Sequence, residues 1–258
     1  MTAARLPDFI IAGAPRSGTQ WLYTTADRHP DIVMAKPIAP EPKFFLRDDL
    51  YERGLAYYSA TWFATIPREK LAGEKSTNYL ESATAAQRIA ESLPDVRLVF
   101  VLRNPVDRAF SNYLWSRQNG LEDDDFETAL AREETREQSV PEDLRYARPH
   151  AFFSRGLYAQ LLQPYFQRFP RERMLVLRYE DIALAPGEVA ESLHRFLGVP
   201  LRRRDGEDQE RLNAAKNEDD VRMNPATRRW LSERYAVPNE QLYALLGPAF
   251  AAWPGERT

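Results

Sequence analysis

FIIAGAPRSGTQWLYTT, residues 9–25, is the stretch that decides the fold prediction. Its four leading apolar residues predict a buried strand, and residues 13–18, which contain two glycines and a proline, predict a tight loop. Residues 19–28 then predict a helix. A strand, a loop and a helix in this order direct free backbone N–H groups and the positive end of the helix at one point, which favours a bound anion.

This loop differs from the loop of ATP and GTP enzymes at one decisive position. The pattern G-x-x-x-x-G-K-[ST] would start at Gly13 and reach Gly18, but Thr19 stands where the pattern requires lysine. The cation of this loop is Arg16, earlier in the sequence. The loop is therefore predicted to hold phosphate without the usual nucleoside triphosphate apparatus.

Composition limits the class of protein. With 258 residues, 43% hydrophobic and 28% charged, the sequence predicts one globular domain over residues 1–258. Its 35 basic and 38 acidic residues give a formal net charge of −3, which argues against nonspecific binding to nucleic acid. The absence of cysteine excludes disulfides, thiolate metal sites and a cysteine nucleophile.

Targeting signals are not evident in the sequence. The apolar run at Phe9 is too short for a signal peptide, and no stretch approaches the roughly 20 apolar residues that span a bilayer. We therefore expect a cytoplasmic protein that does not span a membrane. Its oligomeric state stays open.

Strand and helix patterns alternate along the chain. Residues 97–103 and 173–179 predict two further buried strands, and Pro105 opens a helix with Asn104 as its cap. Alternation of this kind is typical of an α/β fold with a parallel sheet between layers of helices.

The segment 121–150 differs from the rest of the chain. Ten acidic residues and two arginines fall between Leu121 and Asp143. Such an excess of negative charge predicts a solvated, mobile excursion rather than part of the core. The alternative is a flap over an active site, because long loops of compact domains often have a function.

Five segments together resemble the sulfotransferase family that uses 3′-phosphoadenylyl sulfate (PAPS), in its branch of glycan and bacterial sulfotransferases. They follow the order of the family over nearly the whole chain: APRSGTQWL (14–22), KPIAPEPKFF (36–45), GEKSTNYL (73–80), LVFVLRNPVDRAFSNYLW (98–115) and MNPATRRWLSERYAVPNEQLYALLG (223–247). The resemblance implies a P-loop-like three-layer sandwich with about five parallel strands. It also implies transfer of the sulfuryl group of PAPS to an acceptor hydroxyl or amine on a small molecule, lipid or sugar, with PAP as product and no metal.

The resemblance assigns the donor to two groups of residues. The 5′-phosphosulfate would contact Arg16, Ser17, Gly18, Thr19, Gln20 and Trp21, and the 3′-phosphate would contact Arg103 and Ser111. Gln20 replaces a threonine that is common in the family. Tyr158 could lie near the adenine or in the core, and Lys216 or Arg222 could close on the nucleotide.

The resemblance also assigns the chemistry. Glu41 matches the family's catalytic base, which takes the proton from the acceptor, although Pro40 replaces the usual preceding lysine. Lys75 matches a second cation near the sulfuryl group, and Arg16 would stabilise charge on the bridging oxygen. His150 is the alternative base.

Two alternatives stand beside a sulfotransferase. A P-loop kinase would need the lysine replaced by Thr19 and a magnesium-binding carboxylate where the second strand ends in Arg103. A catalytically inactive nucleotide-binding module of the same fold would keep the loop but not the base. The three histidines have no spacing that suits a zinc site.

Overall fold

A computed structural model describes residues 5–201 and 222–253 of the chain. Within these ranges the chain divides into two compact units, which we describe separately. The sheet unit comprises residues 5–102 and 163–201, and the helical unit comprises residues 103–162 and 222–253.

The sheet unit contains a parallel sheet of five strands in the order β2-β3-β1-β4-β5. The strands are β1 (Phe9–Gly13), β2 (Ile32–Met34), β3 (Leu71–Lys75), β4 (Arg97–Leu102) and β5 (Met174–Arg178). Phe9 of β1 is in register with Gly73 of β3 on one side and with Arg97 of β4 on the other. The strand order therefore reverses next to β1, and in open α/β sheets this switch point is where ligands bind.

Eleven α-helices are found in the described residues. They are α1 (Thr19–Asp27), α2 (Asp48–Tyr51), α3 (Gly54–Trp62), α4 (Ala83–Ser92), α5 (Pro105–Gln118), α6 (Phe126–Ala131), α7 (Glu133–Gln138), α8 (Tyr158–Phe166), α9 (Tyr179–Leu184), α10 (Pro186–Leu197) and α11 (Pro225–Leu246). A short 3₁₀ helix, Thr77–Glu81, follows β3.

Alternate residues of the central strands serve opposite faces of the sheet. Phe9 and Ile11 of β1 belong to a core cluster to which α1 contributes Leu22, Tyr23 and Ala26 and α10 contributes Val189, Leu193 and Leu197. On the other face, the ring of Phe100 lies 5.1 Å from that of Tyr165. Helical elements thus cover both faces of the sheet, and the predicted fold class is confirmed.

The helical unit is organised around α5. Asn104 caps this helix, because its Oδ1 accepts hydrogen bonds from Val106 N (3.0 Å) and Asp107 N (3.4 Å). Val106, Ala109 and Tyr113 lie at helical spacing and form an apolar stripe, which packs on Leu231 and Tyr235 of α11. The cap and the stripe of α5 agree with the sequence pattern.

Arg108 does not lie on the exposed face of α5 where helical spacing places it. Its side chain is fully buried, and Nη2 donates a hydrogen bond to the carbonyl of Phe152. The loop at Phe152 covers a face of α5 that helical periodicity alone leaves open to solvent.

Part of the acidic segment belongs to the core, contrary to the prediction of a solvated excursion. Phe126 of α6 packs in the cluster around α5. The Glu122 carboxylate is buried and pairs with Arg136, and Glu133 accepts hydrogen bonds from Phe153 N (2.6 Å) and Ser154 N (2.8 Å). Arg136 and backbone amides pair with these carboxylates and offset part of the cost of burying them.

Candidate active site

The loop between β1 and α1 has the geometry of an anion site. Gly18 is the residue before α1 and has a left-handed backbone with φ 84°. A β-carbon at this position would come within 2.8 Å of the Tyr179 ring, so glycine is required for both reasons. The N–H groups that open α1, at Thr19 and Gln20, have no carbonyl one turn earlier in the helix and can receive an anion, whereas those of Trp21 and Leu22 donate to the Gly18 carbonyl at 3.0 and 3.3 Å.

Arg16 lies in the middle of this loop. It is half-buried and adopts φ 64°, a left-handed conformation that residues other than glycine seldom take. Ser17 is fully buried, and its hydroxyl donates a hydrogen bond to the carbonyl of Pro15 at 3.4 Å. Gln20 is exposed, whereas Trp21 packs against the core cluster of the sheet. Their predicted contacts with phosphosulfate stay predictions.

Gly13 brings β3 and the segment after it close to the start of the loop. A β-carbon on Gly13 would lie 2.6 Å from Leu80 Cβ and 3.0 Å from the carbonyl oxygen of Thr77. Only a residue without a side chain allows this approach. The segment around Thr77 therefore borders the predicted anion site within the sheet unit.

Glu41 is held on this segment by three donors. Lys75 Nζ forms an ion pair with Glu41 Oε1, and the Thr77 N–H donates to Oε2 at 3.1 Å. The Thr77 hydroxyl lies 3.2 Å from both carboxylate oxygens. The side chains of Glu41 and Lys75 are only 14% and 10% exposed, so their geometry is restrained by packing as well as by charge. The structure brings together the predicted base and the predicted second cation.

Two backbone amides attach the turn that carries Glu41 to Ser76, directly after β3, and to the 3₁₀ helix. Lys43 N donates to Ser76 Oγ at 2.9 Å, and Phe45 N donates to the Tyr79 hydroxyl at 3.2 Å. Phe44 stacks on Tyr58 with ring centroids 4.4 Å apart. Thr77, Ser76 and Tyr79 were not predicted as site residues, although all three fall within the GEKSTNYL segment.

Glu74 is a buried carboxylic acid next to this arrangement. It lies in β3, is 0% exposed, and accepts a hydrogen bond from the Tyr58 hydroxyl at Oε2. Burial raises the pKa of Glu74 from 4.5 to about 7, the hydroxyls of Ser76 and Tyr79 oppose this rise, and the charge of Glu41 adds to it.

We expect Glu74→Gln to change how stability depends on pH. Because the folded protein binds the Glu74 proton more tightly than the unfolded chain does, wild-type stability falls as pH rises from 4.5 to about 7. The shift corresponds to about 3 kcal/mol at most. Urea unfolding measures the free energy of unfolding of both proteins at pH 5 and at pH 8. From pH 5 to pH 8, the difference between variant and wild type should move in favour of the variant by up to this amount. Equal pH dependence of the two proteins would contradict the buried, neutral Glu74, and Glu69→Gln, at an exposed position, is the control.

The helical unit contains the predicted ligands of the 3′-phosphate. Arg103 directly follows β4 in the chain and is half-buried, as is Ser111 in α5. Tyr158 is 1% exposed, and its hydroxyl donates to the carbonyl of Arg103 at 2.9 Å. Tyr158 thus supports the backbone at Arg103, while its contact with adenine stays a prediction. Lys216 lies outside the described residues.

His150 also belongs to the helical unit. Its Nδ1 lies 3.5 Å from Oε2 of the buried Glu122 carboxylate.

Over residues 5–201 and 222–253, no group of three or more His, Asp or Glu side chains is arranged to hold a metal ion. Over the same ranges, no helix is both long enough and apolar enough to cross a membrane.

A cavity of about 1100 Å³ lies within the helical unit, and sequence analysis did not predict it. Its walls include four carboxylates and two arginines together with aromatic side chains: Glu127, Glu133, Glu134, Glu137, Arg148, Arg234, Phe153 and Trp230. The carboxylates come from α6 and α7, in the acidic segment. The described wall therefore carries more negative than positive charge.

The fold and the loop define a P-loop-like α/β protein with an anion site after its first strand. Comparison with known proteins identifies the family, because the sulfotransferase domain model matches residues 6–231. The chain belongs to the sulfotransferase family, and the predicted PAPS-dependent enzyme class is confirmed.

Relatives of known structure and of known activity give the same result. A sulfotransferase from Alicyclobacillus acidocaldarius is 30% identical, with a TM-score of 0.75 over 94% of this chain and 96% of that chain. Human heparan sulfate glucosamine 3-O-sulfotransferase 6 is 30% identical over 95% of this chain and 73% of its own length. Human bifunctional heparan sulfate N-deacetylase/N-sulfotransferase 3 is 29% identical over 77% of this chain, which spans 23% of that relative.

Proposed function

We propose that this protein transfers the sulfuryl group of PAPS to an acceptor hydroxyl or amine, with Glu41 as the base. The observation that carries the proposal is the Glu41 carboxylate, which Lys75 and Thr77 hold on the segment that borders the β1–α1 loop. A restrained carboxylate beside an anion site suits in-line transfer between an acceptor and a phosphosulfate.

In the proposed step, the acceptor oxygen or nitrogen attacks sulfur while the bond from sulfur to the bridging oxygen breaks. Glu41 takes the acceptor proton, and the electron pair of the broken bond stays on the 5′-phosphate of PAP. Arg16 and the N–H groups at the start of α1 stabilise the charge that develops there. Lys75, released from Glu41 when that carboxylate is protonated, can turn its charge towards the transferring group.

Recognition of the donor is proposed to depend on Arg103 and Ser111. A guanidinium and a hydroxyl together suit a dianionic 3′-phosphate, which ATP lacks. Lys216 and Tyr158 are proposed as further nucleotide contacts on the resemblance to the family alone. A cytoplasmic site of action, expected because the sequence shows no signal-peptide or membrane-spanning run, belongs to the same proposal.

The acceptor is proposed to be a neutral or cationic small molecule, lipid or sugar. Two relatives bear the name of heparan sulfate, which supports a sugar. The acidic cavity wall in the helical unit disfavours a polyanionic chain, because like charges repel. The net charge of −3 acts in the same direction.

A screen with sulfur-labelled PAPS tests this proposal. Neutral or amine-bearing sugars, lipids and phenols should accept label, whereas heparan sulfate should accept it at least about tenfold more slowly, as expected for about 1.4 kcal/mol of added repulsion. Transfer to no acceptor by a folded protein that binds PAP would instead support the inactive nucleotide-binding module. Faster transfer to heparan sulfate than to every neutral acceptor would contradict the proposed acceptor class.

A further inference from the structure

Tyr158 is hydrogen-bonded to a residue predicted to recognise the 3′-phosphate. Its hydroxyl donates to the carbonyl of Arg103 at 2.9 Å, and only 1% of Tyr158 is exposed. Arg103 directly follows β4, and the next residue, Asn104, caps α5, so Arg103 lies where the chain passes from strand to helix. A hydrogen bond at this point restrains the backbone that carries the Arg103 guanidinium.

Arg155 makes a second connection, to the helix that carries Ser111. Its side chain is buried, and Nη1 donates to Oδ1 of Asn112, the residue after Ser111 in α5, at 3.0 Å. Its Nη2 donates to the carbonyl of Ala147 at 2.6 Å. The Arg155 guanidinium is thus held by two acceptors, one of which lies next to the predicted hydroxyl ligand of the 3′-phosphate.

Gly156 brings the chain between these two side chains into close contact with the start of α5. A β-carbon on Gly156 would lie 2.8 Å from Pro105 Cβ and 2.6 Å from the Tyr235 hydroxyl. A larger residue would therefore push this part of the chain away from Pro105, the first residue of α5. The RGLY segment, residues 155–158, is fitted to α5 by its backbone as well as by its side chains.

We propose that the RGLY segment supports the 3′-phosphate site, with Tyr158 as the positioning residue for Arg103 and Arg155 as the positioning residue for Ser111. The inference rests on the proposed function, because it takes Arg103 and Ser111 to bind the 3′-phosphate. Two side chains that bind one phosphate together must be held to within about 0.5 Å, which supporting hydrogen bonds of this kind achieve. The RGLY segment supplies one such bond beside each of them.

Tyr158→Phe tests the first connection, because it removes the hydroxyl and keeps the buried ring. We expect PAP binding to weaken by about 3–10-fold, the net contribution of one hydrogen bond, and affinity for 5′-AMP to change by less than about twofold. The matched control is Tyr113→Phe, since the Tyr113 hydroxyl is also buried in the helical unit and donates to the carbonyl of Asp124 at 3.1 Å. Calorimetric titration should give wild-type affinities for this control.

A double-mutant cycle shows whether Tyr158 acts through Arg103. In an Arg103→Ala background, Tyr158→Phe should change PAP affinity by less than about twofold, because the side chain that it positions is gone. A direct contact between Tyr158 and adenine would instead weaken PAP and 5′-AMP alike, and the loss would persist in that background. That result would overturn the positioning role of Tyr158.

Asn112→Ala tests the second connection, because it removes the acceptor of Arg155 and keeps a good helix former in α5. We expect PAP binding to weaken by about 2–5-fold, and this loss should disappear in a Ser111→Ala background. If Asn112→Ala does not fold, Arg155→Met decides, with the same expectation. Wild-type PAP affinity in the folded variant would overturn the role of Arg155.

A measurement without nucleotide separates this inference from the function on which it rests. The carbonyl ¹³C resonance of Arg103 reports its hydrogen bond in the free protein, and it should move in Tyr158→Phe but not in Tyr113→Phe. If it moves while wild type binds PAP and 5′-AMP equally, the proposed 3′-phosphate site is rejected and the link from Tyr158 to Arg103 is kept. If wild type prefers PAP and Tyr158→Phe has wild-type affinities, the role of Tyr158 is rejected and the function is kept.

Discussion

Replacing Glu41 by glutamine is expected to lower kcat for sulfuryl transfer by about 10²–10⁴-fold, the range that a general base contributes. Glutamine can still accept the Thr77 N–H but cannot take a proton, and it loses the charge that pairs with Lys75. Affinity for PAP should change by less than about threefold, because no proton is transferred on nucleotide binding. Initial rates with labelled PAPS and calorimetric titration with PAP measure the two quantities.

The matched control for this substitution is Glu52→Gln, which makes the same chemical change at an exposed position just after α2. Its turnover should equal that of wild type. Unchanged turnover in Glu41→Gln would reject Glu41 as the base and direct attention to His150. A large loss of PAP affinity in Glu41→Gln would show instead that the carboxylate organises the nucleotide site.

Replacing Arg103 by alanine is expected to weaken PAP binding by about 10–150-fold, the equivalent of 1.5–3 kcal/mol for hydrogen bonds to a charged group. Affinity for 5′-AMP, which lacks the 3′-phosphate, should change by less than about threefold. Ser111→Ala should act in the same direction with a smaller effect, because a neutral donor contributes less. Parallel calorimetric titrations with PAP and 5′-AMP give the ratio that isolates the 3′-phosphate.

Arg97→Ala is the control for Arg103→Ala, since Arg97 opens the strand that Arg103 directly follows. It should leave both affinities unchanged. An equal loss for PAP and 5′-AMP in Arg103→Ala would indicate general damage to the nucleotide site rather than recognition of the 3′-phosphate.

Much of the fold could be predicted because three of its strands are apolar. β1, β4 and β5 lie within one residue of their predicted limits, since short apolar runs are typical of strands. β1 and β4 are buried, whereas β5, at the edge of the sheet, is buried only at Met174. β3 was not predicted from its residues. Its sequence LAGEK ends in two charged side chains, one of which is the buried Glu74, so it lacks the pattern of a buried strand.

The site was predicted only in part, because some of its features leave a local signal in the sequence and others depend on contacts between distant residues. The glycine loop has a local signature, because Gly13 and Gly18 are required by close contacts and by backbone conformation. The pairing of Glu41 with Lys75 joins residues 34 positions apart, and only the resemblance to the family suggested that they act together. The roles of Ser76 and Tyr79 as acceptors of turn amides depend on the fold of that turn, which periodicity does not encode.

The measurement that tests the central claim most directly is calorimetric titration of the wild-type protein with PAP and with ATP under the same conditions. A site built for a 3′-phosphate and lacking the lysine of the nucleoside triphosphate loop should bind PAP at least about 100-fold more tightly than ATP, about 2.7 kcal/mol. Equal or tighter binding of ATP would contradict the account.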